Sequence, residues 1–218
     1  MDAAAAVTAD RLILAQWLSP AFPVGGFAYS QGLEAAIASG AVRDGDGVDR
    51  WTAALIERGS ARSDAILLAH ARREDADLPA LDALARALAP SAERLAETLD
   101  QGAAFAAMAA ASTGAPPARP LPYPLAVGVA TRALAVTTAE AVALFLHAQA
   151  ALPVSAAVRF LPMGQSRGQR ILATLAPRIA ALAPDLAAAP LSAIATFTPG
   201  ADLFSMAHET LPVRIFRT

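Results

Sequence analysis

Residues 138–162 read TAEAVALFLHAQAALPVSAAVRFLP. From Ala141 to Val158 no side chain carries a formal charge, so the stretch is either a membrane span or the central helix of a soluble bundle. Its eighteen residues stand at the lower edge of what crosses a bilayer, and they include His147, Gln149, Pro153 and Ser155. Such groups are costly in hydrocarbon and are accommodated in a protein interior. The stretch therefore predicts a buried helix of a soluble protein, with His147 as a hydrogen-bonded core residue. Thr138 and Glu140 suit its first turn, Pro153 predicts a kink or restart, and Pro162 an end.

Outward from that helix the chain keeps one style. Apolar residues make up 56% but aromatics only 6%, and the difference is alanine, at 59 of 218 positions. Alanine loses no side-chain entropy in a helix and lets helices approach closely. The expected fold is all-α, a single-domain bundle of eight to ten helices with an irregular C-terminal tail. Thr8 is expected to cap a first helix over 9–19, which Pro20 stops. A second should run over 30–39 to Gly40, and Asp46 or Asp49 should open a third that breaks at Gly59. Pro79 suits the start of a short helix, Ser91 caps a long one to about Ser112, and Gly114 with the prolines from Pro116 to Pro124 forms the main linker. Tyr123–Val136 is expected to be helical. Another helix should start at Gln165 or Ser166, with Pro177 near its end, and a short one should occupy 205–209.

The formal net charge is −2, which argues against a nucleic-acid partner. All 17 basic residues are arginine; without lysine there is no Schiff-base or phosphate-loop lysine, and without cysteine no disulfide or thiolate site. No basic stretch of a secretory signal follows Met1-Asp2, and the cytoplasm is the expected compartment. His70, His147 and His208 fall in different elements with no metal-ligand spacing. No catalytic residue, cofactor or metal site is expected.

Three segments depart from the helical style. They are LSPAFPVGGFAYSQGLE at 18–34, LPMGQSRGQ at 161–169 and HETLPVRIFRT at 208–218. Together, in this order, they resemble the UreF family of urease accessory proteins. Trp51 and the stretch 100–105 fit as well, while Met163 and Leu211-Pro212-Val213 depart from the usual pattern. The resemblance implies a non-enzymatic all-α protein that forms a homodimer and assembles with a UreD/UreH-type accessory protein. That complex recruits the UreG GTPase and delivers nickel to apo-urease. It implies partner-binding or coupling roles for Glu34 and Arg159, both expected at the surface, for Gln165 and Gln169, and for His208, Arg214, Ile215, Phe216 and Arg217. Glu34 could instead serve only as a favourable charge in the first turn of its helix. Residues 1–204 are expected to form the helical domain. Residues 205–218 should be a partner-binding tail, mobile until Ile215 and Phe216 enter the UreD-type partner. The competing reading is a helical adaptor for an unrelated complex.

Overall fold

A computed structural model describes residues 3–114, 116 and 119–218. Its α-helices are α1 (Ala3–Trp17), α2 (Leu33–Ala38), α3 (Gly45–Arg58), α4 (Ser60–Ala71), α5 (Leu78–Ala87), α6 (Ala92–Thr113), α7 (Tyr123–Ala130), α8 (Thr138–Phe160), α9 (Gly164–Ala188) and α10 (Pro199–His208). Short 3-10 turns occupy Gly26–Ala28, Thr131–Ala133 and Leu191–Ala193. There is no strand among the described residues.

Helix α8 is the axis of the bundle and packs against α3, α4 and, most extensively, α9. Thr137, one residue before the expected Thr138, caps it. Its hydroxyl accepts the Glu140 amide at 3.1 Å, while the Glu140 carboxylate accepts the Thr137 amide at 2.8 Å. This reciprocal box satisfies two donors that a helix start leaves open. Pro153 neither ends nor restarts α8. One backbone bond is lost, but Ala150, Val154, Ala156 and Ala157 are buried around it and hold the helix in place. His147, expected in the core, is exposed. Helices α8 and α9 are both long and apolar enough to cross a membrane, but 56% of the most apolar window of α8 is buried in the bundle.

Five aromatic rings cluster in the core. Phe105 meets Trp17, Phe22 and Tyr123 at ring-centroid distances of 5.9, 5.6 and 5.8 Å, and Tyr123 meets Phe145 at 5.7 Å. Elsewhere small residues allow backbone contact. A Cβ at Gly102 in α6 would stand 1.9 Å from the Leu121 carbonyl oxygen, so only glycine lets the chain before α7 cross there.

Several boundaries differ from the sequence expectation. Helix α1 starts at Ala3, and Thr8 lies inside it with its hydroxyl donating to the Ala4 carbonyl. Asp44, not Asp46 or Asp49, caps α3 by accepting the Gly47 amide at 2.8 Å. Helix α2 cannot begin at Ser30, because Gln31 and Gly32 are both left-handed, with φ of 57° and 78°. Helix α7 stops at Ala130, since the Arg72 guanidinium takes the Thr131 and Val136 carbonyls at 2.7 and 2.8 Å. Two prolines, Pro177 and Pro184, lie within α9 and project to solvent. Helix α10 starts at Pro199, so a boundary between 204 and 205 falls inside it. Of the expected linker, residues 115, 117 and 118 lie outside the described residues, as do Met1 and Asp2.

Candidate partner-binding site

The segments 18–34 and 208–218 meet, and 161–169 borders the first of them across a cavity. The left-handed pair Gln31-Gly32 turns the chain sharply before α2. A Cβ at Gly32 would stand 2.7 Å from the Ser205 backbone nitrogen, so glycine lets α2 begin directly against α10. That approach places Glu34, in the first turn of α2, beside His208 at the end of α10.

Glu34 is not at the surface as expected, but 5% exposed. Its Oε1 accepts the Ile215 amide at 2.9 Å, and its Oε2 accepts the Phe216 amide and His208 Nε2, each at 3.0 Å. One carboxylate thus satisfies two main-chain donors of a segment with no ladder of its own. Burial pushes the Glu34 carboxyl up, but the hydrogen bonds from His208, Ile215 and Phe216 outweigh it and hold it below its ordinary value. His208 is 0% exposed, and its other ring nitrogen, Nδ1, lies 2.6 Å from Glu93 Oε2. His208 thus bridges the Glu34 and Glu93 carboxylates, and Arg214 pairs with the other Glu93 oxygen. Glu209 turns away from its neighbour and accepts the Ala92 and Glu93 amides at the start of α6 at 2.8 and 3.2 Å.

The segment 209–218 therefore lies on the bundle, where a free tail was expected. Arg217 N donates to the Ala28 carbonyl and Ser30 N to the Thr218 carbonyl, both at 2.7 Å. Phe216 is 5% exposed, stacks on Phe160 at 5.2 Å, and lies under Arg159 with the guanidinium carbon 4.6 Å from its ring centroid. Arg159 itself is exposed, as expected, and donates to the Phe27 carbonyl at 3.0 Å. Arg217 pairs with Asp100 at 3.3 Å. The order has a physical cause: the Ile215 and Phe216 amides find a buried carboxylate, the Arg217 amide finds the Ala28 carbonyl, and the Phe216 ring fills a slot.

The outer side of the same region is apolar. Val213 and Ile215 are 79% and 74% exposed, and Phe197, Leu203 and Met206 are exposed on and before α10. Gln165 and Gln169 stand apart from the Glu34 cluster. They line the mouth of a cavity of about 200 Å³ between the 18–27 loop, α8 and α9. The structure thus joins Glu34, His208, Arg214, Ile215 and Phe216 in one cluster, ties Arg159 and Arg217 to its edge, and leaves Gln165 and Gln169 on a neighbouring face.

Sequence reasoning missed Glu93 and Glu97, and singled out Gln31 and Gln101 only as members of the 18–34 and 100–105 stretches. Thr218 Oγ1 donates to Glu97 Oε2 at 2.9 Å, and Glu97 is ion-paired with Arg94 in the interior. A carboxylate-arginine pair one turn apart on a helix reads as a solvated face, and only the arrival of distant segments buries it. Among the described residues, no group of three or more His, Cys, Asp or Glu side chains is arranged to hold a metal ion.

A family model described as UreF matches residues 42–176. Similarity to individual relatives covers more of the chain. A urease accessory protein UreF of Cereibacter sphaeroides is 58% identical over 208 residues, covering 95% of this chain and 98% of its own length. One of Paracoccus denitrificans is 50% identical, covering 96% and 97%. One of Roseobacter denitrificans is 45% identical, covering 95% and 93%. With the family model spanning more than half of the sequence and these relatives nearly all of it, the chain belongs to the UreF family of urease accessory proteins.

Proposed function

We propose that this chain is a non-catalytic cytoplasmic scaffold for urease maturation, working as a homodimer. It binds a UreD/UreH-type accessory protein and the UreG GTPase and couples them to delivery of nickel, the cargo, into apo-urease. The observation that carries the reading is the two-sided C-terminal region. Its inner side is fastened to Glu34, while its outer side presents Val213, Ile215, Leu203 and Met206 to solvent. An exposed apolar patch rimmed by the Arg214 and Arg217 cations has the anatomy of a protein interface.

The roles within the site divide accordingly. Ile215 and Val213 anchor the UreD-type partner, with Arg214 and Arg217 at the rim. Glu34, His208 and Phe216 act behind them and hold the segment in docking shape. Arg159, which touches both Phe27 and Phe216, joins that surface to the 18–28 loop on the way to the GTPase. Gln165 and Gln169 belong to the neighbouring face.

The test is co-purification of the full chain with a UreD/UreH-type partner and nucleotide-loaded UreG, with gel filtration for the dimer. Ile215→Asp should abolish capture of the UreD-type partner while leaving the helical spectrum unchanged. Undiminished capture would remove this surface from the assembly.

A further inference from the structure

The cavity between the 18–27 loop, α8 and α9 has apolar walls and a polar floor. Leu18, Phe22, Leu152, Val154, Val158 and Leu172 form the walls, and Gln165 and Gln169 stand at the mouth. Gln101 and Gln149 line it from within, only 2% and 5% exposed.

The orientation of these two inner amides is fixed from behind. Glu97, paired with Arg94, offers only acceptors. Gln101 must turn its NH2 group toward it, donating to Glu97 Oε1 at 3.2 Å, and Gln31 does the same at 3.4 Å. The Gln31 NH2 then also donates to Gln149 Oε1 at 3.3 Å, which turns the Gln149 carbonyl away from the cavity. What remains is the Gln101 carbonyl oxygen and the Gln149 NH2 group. Neither has a hydrogen-bond partner among the described residues, and neither is sealed from the cavity. The two amides thus offer one acceptor and one donor, beside Tyr123 and Ser155, whose hydroxyls also belong to the cavity lining.

We infer that this cavity binds a neutral carboxamide carried on a short apolar stem. The carboxamide N–H donates to Gln101 Oε1, its carbonyl accepts from Gln149 Nε2, and the stem packs on the leucine and valine walls. A carboxylate would face the Gln101 oxygen with the Glu97 carboxylate behind it. An ammonium would lose most of its hydration. At about 30 Å³ per water the cavity holds roughly six to seven, and a carboxamide replaces their contacts to the floor while the stem releases the rest. The same chemistry is offered by a free small amide and by a glutamine side chain of a partner protein. The site does not depend on the identity of the partners proposed above.

The experiment is a titration of the full chain followed by methyl NMR of Leu152, Val154 and Leu172. The probes are 4-methylpentanamide, the isosteric ketone 5-methylhexan-2-one, 4-methylpentanoate and N-acetyl-glutamine N-methylamide. At least one amide probe should give saturable shifts at these methyls, at least about tenfold tighter than the ketone or the acid, the margin of one well-made hydrogen bond. Saturation by 4-methylpentanamide alone assigns a small molecule, and saturation by the capped glutamine assigns a side chain. Ser155→Leu fills the cavity from α8 and should abolish the shifts; Ala148→Leu does the same from two turns earlier should the first variant not fold. Absence of saturable shifts with both amides, an equal response to the ketone, or shifts that survive the filled cavity would each overturn the inference.

Discussion

Phe145 in α8 and Phe216 in the C-terminal segment are both buried rings, but different forces keep them there. Phe145 stands in a helix whose backbone bonds are internal, capped by its own Thr137 and Glu140, and packed on every side by apolar neighbours. Phe216 stands in a segment whose main chain depends on groups far away in sequence, above all the Glu34 carboxylate. The first region is ordered as part of the cooperative core. The second is ordered on condition, by a buried polar clasp that can open while the core stays closed. Such a division lets the segment keep its shape without being part of what must unfold to rearrange it.

The largest expected effect comes from attacking the core side. Phe145→Ala should lower global stability by about 3–5 kcal/mol, read as a shifted urea midpoint with unchanged slope. Amides throughout α8 should lose protection, while those of Ile215 and Phe216, which exchange through opening of the clasp, should change little. If both lost protection equally, the two regions would open as one unit.

Glu34→Ala should be smaller and differently distributed. It strands two amides and a buried imidazole, about 2–3 kcal/mol if the segment stayed in place. Release of the segment relieves that cost by letting water reach the freed groups. The expected outcome is amide exchange at Ile215 and Phe216 roughly a hundredfold faster, early tryptic cleavage after Arg214, and nearly unchanged exchange in α8. Equal loss in both regions would make Glu34 a core residue instead of a clasp.

The difference between the regions also decides what could be read from the sequence. Ser91 at the start of α6, the break at Gly59 and the uncharged run of α8 were legible because each is written within one or two turns of chain. The three irregular segments were legible as belonging to the site. Their geometry was not, because the partners of Glu34 lie 174 to 182 residues away. A lone acidic residue in the first turn of a helix carries the same local signal whether it faces water or two buried amides. Gln149 gave one hint, as an amide within an uncharged helix. Nothing nearby announced that Gln31 and Gln101 would meet Glu97 beside it.

A pH titration separates the regions further, because their titrating groups shift in opposite directions. The Glu34 value is held below its ordinary 4.5. The stability it gives the segment is present above 4.5 and lost as pH falls through the depressed value. Protection at Ile215 and Phe216 should therefore fall on acidification below about pH 4.5. Asp64 in α4 does the reverse. Burial, opposed by Arg94, pushes it from 3.8 up to about 6. Its favourable contribution is complete below 3.8 and is lost as pH rises through about 6. Asp64→Asn should thus stabilise the core by about 1–2 kcal/mol at neutral pH and hardly at all at pH near 3.5, the half-buried position keeping the figure modest. A carboxyl carbon titrating near its ordinary value would remove the basis for that difference.

The smallest expected effect lies where the two regions touch. Arg159 occupies the last turn of α8, yet its guanidinium covers Phe216 and donates to the Phe27 carbonyl. It is exposed, so its charge is largely screened, and a cation over an aromatic face at such a place contributes about 0.5–1 kcal/mol. Arg159→Ala should cost about that much, and the cost should appear in the segment rather than in the core. The ring resonances of Phe216 and Phe27 should shift while the urea midpoint barely moves. Arg159→Lys should recover only part of the ring shifts, because an ammonium lacks the flat face that lies over Phe216 and the fork that also reaches Phe27. A drop in the midpoint comparable to that of Glu34→Ala would mean that α8 and the segment share one cooperative unit after all. Unchanged Phe27 and Phe216 signals would mean that Arg159 does not couple the loop to the docking segment.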